Sequence, residues 1–435
     1  MGGACRFLLP LSVCLGVAAS STSFARADAL RLEDAVRLAL SRNERAQVAN
    51  LQIAVAEAGV SRARAGFLPV VTLGATELLR PYTVKRDDVT VVPWNSGAST
   101  FTIAQPILNL PACPLYGQAK RLLEAQTLQS SEDKRQLAFD AARAFLAVLV
   151  QESVLKAASR RLESAKATLA DVTARVQAGL NSSNDITRAE ILMATSEREV
   201  AIDEGIVQKA MVTLSFVTNA KVDGALVPPE ATLASAEHKV GAPESLVAVA
   251  EAHRLNVAAS KERVEAAKLF AEEPGLRFAP VLGAAAQLRG TTDSSASGRW
   301  LDETLTLTLT WTIYDAGIRG ADAKAREAQA SIAQLDLQTQ RRVVDADVRA
   351  AVVSLQSAQA AFDVADDVVA AAKKSVAETG ELYRQGIAHA IELVDAEAQL
   401  FEAEVSFAGA QYTMVQAYLD LRAALGLDPL GTELS

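Results

Sequence analysis

The sequence predicts a mainly α-helical, internally duplicated protomer with a membrane β-barrel portion: four long helices, two shorter ones and four strands. Three observations carry this. Residues 115–178 and 321–384 each read as one very long helix. Short segments between helices alternate apolar and polar residues. The motifs of the first half return in the same order in the second.

The apolar half of the chain is rich in Ala, with Val and Leu, and only 5% of residues are aromatic. Ala is the strongest helix former, and small side chains let helices approach closely. That favours long, thin packing over a compact enzyme core. A net charge of −9 argues against a broad nucleic-acid surface, which needs a basic face.

Residues 1–27 read as a secretory signal. Arg6 is its basic start, Phe7 to Ala19 its apolar stretch, and Ala25-Arg26-Ala27 its small-x-small site, with cleavage expected after Ala27. Leu11-Ser12-Val13-Cys14 loosely resembles a lipidation signal but departs from it at Val13. Cys5 and Cys14 leave with the signal. Cys113 then remains with no partner for an intrachain disulfide, as a bystander thiol or one that pairs between chains. No later run reaches the ~18 consecutive apolar residues of a spanning helix. Membrane insertion of the mature chain therefore calls for a closed β-barrel.

The repeat organises the rest. Glu33-Asp34-Ala35-Val36 is echoed by Glu244-Ser245-Leu246-Val247, and Phe67-Leu68-Pro69 by Phe278-Ala279-Pro280. Gln177-Ala178-Gly179-Leu180 is echoed by Arg384-Gln385-Gly386-Ile387, and Ala189-Glu190 by Ala396-Glu397. All lie about 210 residues apart, the mark of a duplicated unit.

Residues 28–218 form the first repeat, 219–242 a connector containing Pro228-Pro229, and 243–435 the second repeat. In the first, one helix is expected from Leu32 to Ala65, strands at 69–79 and 99–108 around a polar loop, and a helical hairpin over 115–217. The second is expected to hold a helix over Pro243–Ala271, strands at 276–289 and 300–314, and a hairpin over 321–425. A helix of about 60 residues runs ~90 Å. Charges such as Arg160, Arg161, Glu163, Asp345 and Arg349 make these helices too polar for lipid, so coiled-coil-like packing is expected. Gly179 and Gly386 are the hairpin turns.

Leu305, Leu307, Leu309, Trp311 and Ile313 alternate with Thr residues, placing every apolar side chain on one face. Barrel strands show this pattern, apolar toward lipid and polar toward the lumen. A soluble sheet packed on helices shows it too. Counting separates the two. A barrel made of one chain's four strands is too narrow to conduct, and open edges are not tolerated in lipid. Several chains sharing one barrel remove the edges.

These residues resemble the TolC-like outer-membrane efflux protein family over essentially the whole mature chain. The resemblance rests on Leu30 to Asn43, on Gly66-Phe67-Leu68-Pro69, and on Trp311 to Gly317. It rests most specifically on Tyr383-Arg384-Gln385-Gly386-Ile387-Ala388 followed by Glu392-Leu393-Val394-Asp395-Ala396-Glu397. The resemblance implies a homotrimer whose 12-stranded barrel sits in outer-membrane lipid above a 12-helix periplasmic barrel. It implies a passive exit duct for a tripartite efflux pump or a type I secretion system, working with a periplasmic adaptor (membrane fusion protein) and an inner-membrane pump. It places Glu392 and Asp395, with Asp185 as first-half counterpart, in an acidic ring at the periplasmic tip. Tyr383 matches a Tyr that ties the closed helices together. Ala388 stands where the family's type member has an Arg, and Pro106 is expected to end the pairing of its strand.

Taken alone, Glu392 and Asp395 are also ordinary solvated carboxylates of a first helical turn, where the helix dipole favours them. Repeated around a pore, they would favour cations. His238, His253 and His389 are scattered and imply neither metal nor cofactor, and no nucleophile motif suggests an enzyme. A periplasmic coiled-coil adaptor or structural protein without its own pore also explains the helices, but leaves the Leu-Thr alternation without a use.

Overall fold

The computed structural model describes residues 30–87, 89–179, 182–222, 224–292 and 299–431. The expected signal segment 1–27, its cleavage point and Cys14 lie outside the described residues.

The first repeat opens with α1 (Leu32–Arg42) and α2 (Glu44–Arg64), not with one helix. Asn43 causes the break. Its side chain accepts from the Arg45 N–H at 2.9 Å as the cap of α2, and its Nδ2 donates to the Val217 carbonyl at 2.8 Å. Strand β1 (Val70–Leu79) follows, then a small hairpin of β2 (Val84–Arg86) and β3 (Val89–Val92), then β4 (Asn95–Leu108). The hairpin occupies part of the segment expected to be loop. Then come α3 (Ala112–Gln177) and α4 (Ser183–Thr218). The connector carries α5 (Glu230–Glu237).

The second repeat matches this order with α6 (Pro243–His253), α7 (Leu255–Leu276), β5 (Val281–Thr291), β6 (Leu301–Thr310), α8 (Ile318–Arg384) and α9 (Ala390–Leu425). Two expectations are corrected here. The helix expected over Pro243–Ala271 breaks at Arg254 and then runs through Pro274 to Leu276, so the strand starts later than 276. The last strand ends at Thr310, so Trp311 and Ile313 lie in the turn beyond it. There the Trp311 indole donates to the Phe278 carbonyl at 3.0 Å.

The duplication is visible in how these breaks are held. Asn219, which ends α4 in the left-handed region, donates to the Arg42 carbonyl at 3.2 Å. Gly426 ends α9 in the same conformation, and a Cβ there would lie 2.8 Å from the His253 carbonyl carbon. Arg254 reaches Asp347 at 3.0 Å and the Ala424 carbonyl at 3.4 Å. In each half the broken short helix therefore clasps the end of the return helix.

Helix α3 has 66 residues and α8 has 67, so each spans ~100 Å. The core sits at the level of the connector. Phe139 and Phe145 of α3 are fully buried there with Leu214 of α4, Leu355 of α8, and Met414 and Leu419 of α9. Ala141, Ala142, Ala35 and Ala39 let the backbones close up around them.

The main sheet is antiparallel in the order β1-β4-β5-β6, so β1 and β6 are its edges. Its register sorts the two faces. Thr72, Thr102, Gln287 and Thr304 lie side by side in one row, and Val71, Ile103, Ala286 and Leu305 in the next. Adjacent rows point to opposite faces, which gives one hydroxyl-rich face and one apolar face. The apolar face is uncovered, with Leu73 78% and Leu305 76% exposed. Pro106 does not end the pairing of β4. The register shifts between Pro106 and Leu108, and a bulge absorbs the missing donor.

Candidate functional site

The long hairpins end in paired turns. After α3, Gly179 takes φ +73° and its N–H donates to the Val176 carbonyl at 3.0 Å. After α8, Gly386 takes φ +74° and donates to the Tyr383 carbonyl at 3.0 Å, while the Ile387 N–H reaches Leu382 at 2.9 Å. Left-handed glycines close off the last helical carbonyls and reverse the chain tightly.

The carboxylates expected at this end divide into two kinds. Glu392 and Asp395 lie three residues apart in the opening of α9 and are exposed. Asp185 is different. It forms a capping box with Ser182 at the start of α4, its Oδ2 accepting from the Ser182 N–H at 3.3 Å. Asp185 also lines a cavity of about 20 Å³ with Ile391 and Val394, so α4 and α9 converge at this end.

Tyr383 is buried on α8. Arg175 of α3 lies over its ring, 4.3 Å from the centroid, and donates to the Tyr383 carbonyl at 3.3 Å. Asp171 holds Arg175 at 3.0 Å. Burial first, and then the Asp171 carboxylate, raise the Tyr383 phenol above its ordinary pKa. Asp171 and Arg175 were not singled out from sequence. The available signal was an acid–base pair four apart, close before Gly179, which also describes many exposed helix surfaces. Ala388 is buried in the turn after Gly386.

At the other end of the molecule, Leu305, Leu307 and Leu309 share the exposed apolar face of β6. Trp311 and Ile313 extend that exposed surface beyond the strand. Among the described residues no helix is long and apolar enough to cross a membrane.

The chain matches the family described as outer membrane efflux protein twice, over residues 35–220 and again over 246–427. It is 24% identical to the proteases secretion protein PrtF of Dickeya chrysanthemi, covering 93% of this chain and 90% of that protein. It is 25% identical to the pyoverdine export outer membrane protein OpmQ of Pseudomonas putida, covering 71% of this chain and 65% of that protein. Its fold is similar to that of the outer membrane protein VceC of Vibrio cholerae, with a TM-score of 0.76 at 16% identity. That match covers 91% of this chain and 96% of VceC.

Proposed function

Because the chain belongs to the outer membrane efflux protein family, we propose that three copies close one barrel in the outer membrane and continue as a helical tunnel into the periplasm. The exposed Leu face of a four-stranded sheet with two open edges carries this reading. Neither the apolar face nor the β1 and β6 edges has a partner among the described residues. Lipid covers the first, and β1 of one copy pairing with β6 of the next satisfies the second. Three copies give twelve strands, four from each chain.

The repeats 28–218 and 243–435 then meet through the 219–242 connector at the equator of the tunnel. Gly179 and Gly386 mark its periplasmic tip, Tyr383 ties the hairpins when the tip is shut, and Glu392 and Asp395 form the acidic ring. A periplasmic adaptor and an inner-membrane pump supply opening and energy. The names of PrtF and OpmQ refer to protease secretion and pyoverdine export, so the family's relatives serve both polypeptides and small molecules. The family and fold are those of a channel rather than an enzyme. A pore-free coiled-coil adaptor leaves the Leu face of β6 uncovered.

The test is the conductance of the purified protein in planar bilayers. A gate made by the ring predicts that Glu392→Ala with Asp395→Ala lowers cation preference and relieves block by divalent cations. Unchanged selectivity and block would remove the ring from the account.

A further inference from the structure

Glu397 lies on α9, well past the turn at Gly386, where α9 meets α3. Its Oε1 accepts a hydrogen bond from the Ser164 hydroxyl of α3 at 2.5 Å, which joins the two repeats. Its Oε2 is buried and has no hydrogen-bond partner among the described residues. The two arginines beside it are engaged elsewhere. Arg161 of α3 pairs with Glu199 of α4 at 2.6 Å, stands 4.8 Å from the Phe401 ring centre, and leaves its own Nε buried without a partner. Arg160 pairs with Glu404 of α9 at 2.7 Å. A cleft of about 350 Å³ runs beside these groups, and Lys373 of α8 lines it from the other side.

The duplication supplies an internal control. The repeat-related residue of Glu397 is Glu190 on α4, a helix that does not pack extensively on α8 within one chain. Where α3 has Arg160, Arg161 and Ser164, α8 has Asp367, Val368 and Ala371. The second copy of this seam can form neither the hydroxyl–carboxyl contact nor the arginine pairs. The residues that build this arrangement are thus particular to the α3–α9 seam.

We propose that Glu397 is a proton-operated positioning residue of the gate: neutral, it lets α9 close against α3, and ionised, it favours parting of the two hairpins. The proposal rests on the reading of the helical end as the gate. A buried carboxylate with one oxygen unpaired is costly, and a neutral acid in the same place much less so. Burial raises the Glu397 pKa in the closed seam, with the Ser164 hydrogen bond and the Arg161 charge opposing it. Parting the hairpins readmits water and restores the ordinary value. The closed seam therefore binds the proton more tightly than the open one. Its added stability is full below the ordinary carboxylate range and is lost as pH rises through the raised value.

Planar-bilayer recordings of the full-length trimer test this with wild type, Glu397→Gln, Ser164→Ala, and Glu392→Gln with Asp395→Asn. The wild-type open fraction is expected to rise roughly tenfold between about pH 5 and pH 8. Glu397→Gln keeps the acid-like low open fraction throughout, with ion selectivity unchanged. Ser164→Ala raises the open fraction at low pH. A Glu397→Gln channel with the wild-type pH step overturns the proposal. If the Glu392 and Asp395 exchanges leave selectivity untouched while Glu397→Gln removes the pH step, the ring assignment fails and the Glu397 assignment stands. Hydrogen exchange of residues 390–404, corrected for its intrinsic pH dependence, gives a readout independent of current. Protection is expected to fall at high pH in wild type and to persist in Glu397→Gln, and equal behaviour of the two also overturns the proposal.

Discussion

Arg175 of α3 stands over the ring of Tyr383 of α8 and holds its backbone carbonyl, so one guanidinium fastens the ends of the two hairpins to each other. A cation over an aromatic ring contributes about 0.5–2 kcal/mol, depending on burial. Arg175→Ala is expected to raise the open fraction in planar bilayers about three- to tenfold, in line with that range. Tyr383→Phe keeps the ring and is expected to change it less. An Arg175→Ala channel that opens no more often than wild type removes this tie from the account.

Leu307 and Thr306 are neighbours on β6 that point to opposite faces. A lysine on the lipid face near mid-membrane costs about 2–4 kcal/mol, and one facing the lumen costs far less. Leu307→Lys is expected to cut the yield of assembled protein in outer-membrane fractions severely, and Thr306→Lys to leave it close to normal. Equal yields would mean that the two faces are wrongly assigned.

Gly426 and Gly179 both adopt a left-handed backbone, but their surroundings differ. A Cβ at Gly426 would strike the His253 and Arg254 backbone, whereas at Gly179 nothing among the described residues lies within 4 Å. Gly179→Ala carries only the conformational penalty of about 1 kcal/mol. Gly426→Ala adds a backbone clash and is expected to cost roughly 2–4 kcal/mol. Thermal unfolding followed by helical circular dichroism orders the two, and a smaller loss at Gly426 would contradict the packing described.

Asp185 caps α4, while Glu392 and Asp395 stand open at the start of α9. Asp185→Ala is expected to lower stability by about 1 kcal/mol through the lost capping box, with cation selectivity changed little. Selectivity lost to the same degree as in the Glu392 and Asp395 exchanges would make Asp185 a full member of the ring.

The strands were legible where the chemistry is local. The alternation from Leu305 to Thr310 needs only a period of two to declare its faces, and the structure continues that sorting across three further strands. It misled at Trp311 and Ile313, where the pattern runs on after pairing stops. The helix breaks were less legible because their causes are remote. Asn43 is compatible with a helix interior until its amide meets Val217, 174 residues away. Pro274 reads as a stop, yet it lies inside α7. At the tip, Tyr383, Gly386, Glu392 and Asp395 stood out through the family resemblance. Asp171 and Arg175 gained meaning only when α3 was laid beside α8.

The most direct test is the mass of the mature protein extracted from outer membranes in mild detergent, measured by light scattering with the detergent contribution removed. The expected result is a particle of three chains that resists separation until heated. A single chain that stays folded and dissolves without detergent would contradict it, since the β1 and β6 edges and the Leu face of the sheet would then tolerate water without partners.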